Sequence, residues 1–290
     1  MDRTKTFACL TVLALLPAAC SRQPRIVVGS KNFTEQVLLG EILAQQIERR
    51  LHVRVEHKLD LGGTLLTHEA LLKGSIDLYP EYTGTALTAI LKQPPTSDAA
   101  AAFERVRDAY RRRWHLDWLR PLGFNNTFAM MVRGEMARDR RIASLSEATR
   151  LQAWHLGAGY EFGSRADGLD GLVRAYGMRL DGKPVAMDLG LLYPALERGK
   201  VDMIAANSTD GLAAVLDVKI LDDDRHYFPP YQCAVVVRED TLARFPQLGA
   251  ALEEISGKVP DETMRKLNYQ VDGKHRSVVQ VAAEFLRALR

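Results

Sequence analysis

The chain has 290 residues, 47% of them hydrophobic and 26% charged. That is an ordinary globular composition, which excludes a disordered or fibrous protein and sits near the length at which chains divide into two domains. A net charge of +3 is too small to imply nucleic-acid binding.

The first residues read as an export signal. Arg3 and Lys5 precede an apolar run over residues 7–16 and a small-residue site at Pro17-Ala18-Ala19-Cys20, the pattern of a secretory signal peptide covering 1–19. The apolar run is too short to span a membrane. Cys20 after two alanines suggests lipidation as a bacterial lipoprotein, with simple cleavage as the alternative; both place the mature protein in the periplasm or on the outer side of a membrane. Cleavage would remove Asp2, Arg3 and Lys5 and leave a net charge of +2. Of the three cysteines, Cys9 goes with the signal, so a disulfide is not expected and Cys233 reads as a small core hydrophobe.

Residues 20–25 form a short tether, ending in a strand over 25–29. After the loop 30–33, Thr34 is expected to cap a helix whose Leu38, Leu39, Ile42, Leu43 and Ile47 share one face. Residues 53–59 alternate as a second strand, and Gly62-Gly63-Thr64 turns into a helix through Leu72. A third strand carrying Ile76 and Leu78 is expected to stop at Tyr79-Pro80, because proline has no amide to give a ladder. A helix over 83–91 follows, with Gly84 and Thr85 in its first turn. Free amides at such a terminus attract anions, and Tyr82 adds an aromatic face and a hydroxyl. The repeated strand–loop–helix order predicts an α/β fold with a largely parallel sheet and helices on both faces. Ligands on such sheets sit at the carboxyl ends of strands, where loops 30–36, 61–64 and 79–85 lie.

Beyond a polar break at 93–98 and a helix through Arg113, the run Leu119-Arg120-Pro121-Leu122-Gly123-Phe124-Asn125-Asn126-Thr127 suggests a crossover into a second unit. Strands over 128–132, near 154–159 and over 201–205, with helices over 167–176 and 189–198, belong to it. Tyr227-Phe228-Pro229-Pro230-Tyr231 reads as the return crossover, after which a strand over 233–238 and the closing helices rejoin the first unit. The expected organisation is lobe 1 over 26–123 and 229–290 and lobe 2 over 124–228, a two-lobed clamp.

Catalytic motifs are weak. No Gly-x-Ser-x-Gly elbow occurs. Gly177 to Lys183 copies the phosphate-loop spacing, but Pro184 stands where Ser or Thr is required and the segment follows a helix. The seven histidines are scattered, so neither a metal nor a cofactor is expected. The features favour binding instead. Lys31 and Arg165 are cations in loops after strands. Arg165 lies near a predicted helix start, where the dipole disfavours it; bidentate pairing with a ligand carboxylate or an ion pair with Glu161 or Asp167 would account for it. Ser208-Thr209-Asp210-Gly211 reads as a strand end whose side-chain oxygens cap a helix. Tyr231 lies in the second crossover, where both lobes can close over it.

Taken in order, Ser30-Lys31-Asn32-Phe33-Thr34-Glu35-Gln36, Leu61-Gly62-Gly63-Thr64, Asp77-Leu78-Tyr79-Pro80-Glu81-Tyr82-Thr83-Gly84-Thr85, Phe124-Asn125-Asn126-Thr127, Arg165-Ala166-Asp167-Gly168 and Ser208-Thr209-Asp210-Gly211 resemble the substrate-binding proteins of osmoprotectant ABC importers, which take up glycine betaine, choline and carnitine. The resemblance covers residues 26–290. It implies a type II periplasmic-binding-protein fold, a small osmolyte in the interlobe cleft, a monomer that delivers it to an ABC permease and its ATPase, and no catalysis. Family tyrosines cage the quaternary ammonium while Lys, Arg and Thr groups hold the carboxylate. Tyr82, Thr85 and Tyr231 match those positions, with Lys31 and Arg165 on the anion side. Two cage positions depart, since Phe128 and Asn207 stand where tyrosine is common. A ring under a quaternary ammonium is worth roughly 0.5–2 kcal/mol, so Phe128 keeps that gain and Asn207 forfeits it. The rival readings are the same receptor turned to another polar solute such as an amino acid, an exported enzyme on a similar fold, and a sensory ectodomain.

Overall fold

The computed structural model describes residues 25–289. The expected signal peptide, Cys20 and most of the tether lie outside the described residues. The first run of elements is β1 (Arg25–Gly29), α1 (Thr34–Leu51), β2 (Arg54–Lys58), α2 (Thr64–Leu72), β3 (Leu78–Tyr82), α3 (Thr83–Thr85), a π-helical turn (Ala86–Ile90), α4 (Ala99–Trp114) and β4 (Leu116–Trp118). The second is β5 (Phe128–Arg133), α5 (Gly134–Arg140), α6 (Leu145–Leu151), β6 (Leu156–Ala158), α7 (Leu169–Tyr176), β7 (Val185–Ala186), α8 (Leu189–Glu197), β8 (Met203–Asn207), a 3₁₀ turn (Gly211–Ala214) and β9 (Val218–Ile220). The chain closes with β10 (Cys233–Arg238), α9 (Glu239–Arg244), α10 (Leu248–Glu253), α11 (Asp261–Asp272) and α12 (Val278–Ala288).

These strands build two five-stranded sheets, ordered β2-β1-β3-β10-β4 and β7-β6-β8-β5-β9. The chain therefore passes between sheets twice, after β4 and after β9. Each sheet is mixed rather than wholly parallel. β10 runs antiparallel to β3 and β4, and β5 runs antiparallel to β8 and β9. These are the two strands that receive the chain from the other sheet, so no same-sheet helical crossover imposes a parallel direction on them.

Helices cover both faces of each sheet. The predicted apolar stripe of α1, Leu38, Leu39, Ile42, Leu43 and Ile47, is fully buried with Val235, Val281 and Leu286 on one face of the first sheet. Leu71, Leu87, Val106 and Tyr110 cover the other face. In the second sheet Leu145, Trp154 and Leu172 pack on one side and Leu192, Tyr193 and Leu196 on the other. Cys233 is free and buried in the first core, as its apolar strand context required.

Three local expectations are corrected. β3 runs on through Pro80 to Tyr82. Thr83 N–H donates to the Gln232 carbonyl, so by alternation Pro80 turns its nitrogen away from β10 toward β1, whose pairing with β3 is confined to Val28↔Leu78. No ladder bond is lost there. Thr34 does not cap α1; the N-cap is Phe33, and the Thr34 hydroxyl donates to Asp272 Oδ1 at 2.6 Å. The helix over 83–91 forms, but its second half widens into the π turn, where Leu91 N–H reaches the Ala86 carbonyl. Such turns are frequent at functional sites.

Candidate functional site

A cavity of about 720 Å³ opens between the sheets. Lys31, Tyr82, Thr85, Phe128, Arg165, Asn207 and Tyr231, the seven residues singled out in the sequence, all line it. The first sheet contributes Lys31 from the loop after β1, Tyr82 from the end of β3 and Thr85 from α3. The second contributes Phe128 and Asn207, which face each other across the β5–β8 ladder. Tyr231 comes from the return crossover.

Lys31 is almost wholly buried, with Nζ 2.5 Å from Glu81 Oε1 and 3.4 Å from Thr64 Oγ1. Glu81 also accepts from the Tyr79 hydroxyl and the Tyr82 amide, so its charge is fully partnered. An ammonium has three donors; two are used, and one remains for the cavity. The same Nζ sits 4.9 Å from the centre of the Tyr82 ring, and Phe33 stacks on that ring at 6.3 Å. The Tyr82 hydroxyl is turned onto Glu35 Oε1 at 2.7 Å, so what Tyr82 leaves to the cavity is its ring rather than its oxygen.

Arg165 resolves the alternatives left open by the sequence. Its Nε and Nη2 donate to the two oxygens of Asp167 at 2.9 and 2.5 Å, and the side chain is 7% exposed. Nη1 donates to Thr85 Oγ1 at 3.0 Å and Nη2 to Thr88 Oγ1 at 3.5 Å. Of five guanidinium donors these contacts use four. The Arg165 Cζ lies over the Phe128 and Tyr231 rings, 5.1 and 5.7 Å from their centres. Burial alone would weaken the Arg165 charge, but the Asp167 contact holds its pKa above the ordinary value. Asp167 is also buried, and Arg165, Tyr231 and Thr88 together hold its carboxyl below the ordinary range. The ion pair is thus a fixed, dry part of the wall. Arg165 itself is not in a helix: α7 starts at Leu169 behind Gly168, and the residue belongs to the turn before it.

Asn207, the position where the resemblance leads one to expect a tyrosine, lines the cavity opposite Phe128. Its backbone amide and Nδ2 donate to Asp210 at 3.1 and 3.4 Å, and the Tyr193 hydroxyl donates to the same carboxylate at 3.1 Å. Asp210 turns that carboxylate inward, and burial pushes its pKa up to about 7, with the nearby Glu35 charge adding to the rise. Neither Thr209 nor Asp210 makes a side-chain cap to the following 3₁₀ turn, against expectation; Thr209 donates to Glu35 instead.

Several lining residues were not singled out as ligand contacts in the sequence, and Glu161, expected there only as a partner for Arg165, pairs with Thr64 instead. Glu161 accepts from Thr64 N–H at 2.5 Å and Thr64 Oγ1 at 2.8 Å. This contact joins the turn after β6 to the N-terminus of α2 across the cleft mouth. Asn268 and Asp272 reach the cavity from α11, more than 230 residues from Lys31. Glu35 lay inside a quoted motif, but its place in a first helical turn masked its other contacts. Gly84 did carry a signal, and its reason is spatial: a Cβ there would stand 2.6 Å from the Tyr231 ring and 2.8 Å from the Pro230 carbonyl. Only glycine lets the return crossover lie this close.

Comparison with known proteins agrees with this geometry. Over 281 residues the chain is 36% identical to the ergothioneine transport permease/ergothioneine binding protein EgtU of Helicobacter pylori, a match that covers 96% of this chain and 50% of that one; the chain thus spans half the length of this relative. It is 32% identical to the carnitine transport binding protein OpuCC of Listeria monocytogenes, over 92% of this chain and 87% of the other. Among solved structures, that of a glycine betaine/carnitine/choline ABC transporter superimposes with a TM-score of 0.77 at 30% identity, covering 91% of this chain and 98% of the other. The family model for the substrate-binding domain of ABC-type glycine betaine transport systems matches residues 24–288, and the chain belongs to that family.

Proposed function

We propose that the protein is the extracytoplasmic receptor of an ABC importer and closes its two lobes around one small quaternary-ammonium zwitterion without altering it chemically. The observation that carries this reading is the convergence of three rings, Tyr82, Phe128 and Tyr231, and two cations, Lys31 and Arg165, on one cavity. The ring faces take the ammonium, each worth roughly 0.5–2 kcal/mol. Lys31 and Arg165 hold the carboxylate through their remaining donors, and Thr85 steadies Arg165 from the first lobe. The lobes divide at 26–123, 124–228 and 229–290, so the two crossovers act as the hinge. Cys20, if lipidated, tethers the receptor to the membrane beside its permease and ATPase.

Asn207 favours a second reading within the same class. It offers a polar amide, backed by Asp210 and Tyr193, where a cage ring is expected. A cavity of about 720 Å³ is also generous for glycine betaine. A larger betaine with its own polar group fits both facts, and the Helicobacter pylori relative is named for ergothioneine. Calorimetric titration of refolded, ligand-free protein with glycine betaine, choline, carnitine, ergothioneine and free amino acids tests both readings. One-to-one binding of a quaternary ammonium is expected. Binding of a primary-amine amino acid alone, or of nothing in the set, would reject the proposal.

A further inference from the structure

Glu35 is a buried carboxylate that pairs with no cation among the described residues. Its Oε1 accepts from the Tyr82 hydroxyl at 2.7 Å and Asn126 Nδ2 at 2.8 Å. Its Oε2 accepts from Thr209 Oγ1 at 2.5 Å and Asn268 Nδ2 at 2.9 Å. The four donors come from four separate places: the end of β3, the first crossover, the residues after β8, and α11. Asn268 Nδ2 also donates to the Thr209 carbonyl at 2.9 Å. Gly211 lies so tightly on the Asn268–Tyr269 backbone that any side chain there would collide with it. The corner 207–211 of the second sheet is therefore seated on α11, with Glu35 beneath the seat.

An acid in the first turn of α1 would serve the helix dipole equally well from the surface. Burying it instead is costly unless its oxygens are fully hydrogen-bonded, and desolvation does raise its pKa against the pull of all four donors. A carboxylate has about four acceptor positions, and all are taken. Glu35 thus has no acceptor to spare for a ligand, although it lines the cavity.

We infer that Glu35 is a positioning residue of the ligand site, which fixes the Tyr82 ring through its hydroxyl and couples that ring to the 207–211 corner of the second lobe. The inference rests on the proposed reading of the cavity as the ligand site. Tyr82 and Thr209 meet different oxygens of Glu35, so communication between them runs through this carboxylate.

The test combines ¹⁹F NMR of fluorotyrosine-labelled protein, with the Tyr82 signal assigned by its loss in Tyr82→Phe, and calorimetric affinity for whichever quaternary ammonium the wild type binds. Thr209→Val is expected to shift or broaden the Tyr82 signal and to weaken binding by about tenfold, a size fitting one lost charge-assisted bond. In the Tyr82→Phe background, which keeps the ring, the same change should weaken binding less than about twofold, since uncoupled sites add and coupled ones do not. Glu35→Gln should abolish the Tyr82 response to Thr209→Val. If Glu35→Gln does not fold, the Thr209→Val and Tyr82→Phe pair decides the matter alone. An unmoved Tyr82 signal, or additive affinity losses, would overturn the inference. If no quaternary ammonium binds the wild type, the proposed function fails, and the NMR response still decides whether Glu35 couples the two residues.

Discussion

In the proposed site, Asn207 is the residue on which the choice of cargo would turn. Placed across the ladder from Phe128, its side chain is within reach of that ring, so Asn207→Tyr would restore a paired aromatic wall. Glycine betaine affinity should then rise by roughly threefold to thirtyfold, given about 1.4 kcal/mol per decade. No gain in a calorimetric titration would mean that the amide serves a more polar ligand. Arg165 has a different kind of importance, because its guanidinium at once lies over the Phe128 and Tyr231 rings, pairs with Asp167 and bonds to Thr85. Arg165→Lys keeps the charge but loses the fork over Asp167, Thr85 and the two rings; the affinity is expected to fall at least about tenfold, together with a lower melting temperature as the buried Asp167 pairing is loosened. An unchanged affinity would show that only the charge matters.

At the scale of elements, two short segments set the site. The short α3, just before the π turn, meets the return crossover at Gly84, and Gly84→Ala would drive a methyl into the Tyr231 ring. Overpacking of this kind costs about 1–3 kcal/mol, so a lower melting temperature and weaker binding are expected together. The corner after β8 carries a pH signature. Asp210 has a folded pKa of about 7, above the ordinary carboxyl value, so the folded state holds a proton that the unfolded chain has already released. That contribution is complete below the unfolded value and is lost as pH rises through about 7. Burial lowers the His68 pKa to about 4, which acts oppositely: its contribution is present above its ordinary value and lost as pH falls. The difference in melting temperature between wild type and Asp210→Asn isolates the first effect. It should move against the wild type between pH 5 and pH 8, and a flat difference would contradict the assignment. These elements also show what a sequence can and cannot convey. The stripe of α1 and the alternation of β2 are local periodicities, so both were legible. Pro80 misled because strand propensity at one residue depends on which neighbour its nitrogen faces. Thr209 and Asp210 looked like caps because a serine, threonine and aspartate cluster has that local use; their partners, Glu35 and Tyr193, lie elsewhere in the chain.

Across the whole molecule, seven of the lining residues were legible from local motifs or from the resemblance they carry, whereas their meeting place was a product of topology. The cavity exists because the chain leaves the first sheet after β4 and returns as β10, bringing Tyr231 against Gly84 and α11 against the 207–211 corner. The contacts Glu161–Thr64, Arg165–Thr85 and Thr209–Glu35 join the units on separate sides of the cleft, so a ligand touching both walls would favour the same closed arrangement. Small-angle X-ray scattering of refolded, ligand-free protein, with and without a saturating quaternary ammonium that binds by calorimetry, tests this claim most directly. The account predicts a smaller radius of gyration and a narrower distance distribution on saturation; superimposable profiles at full occupancy would contradict it.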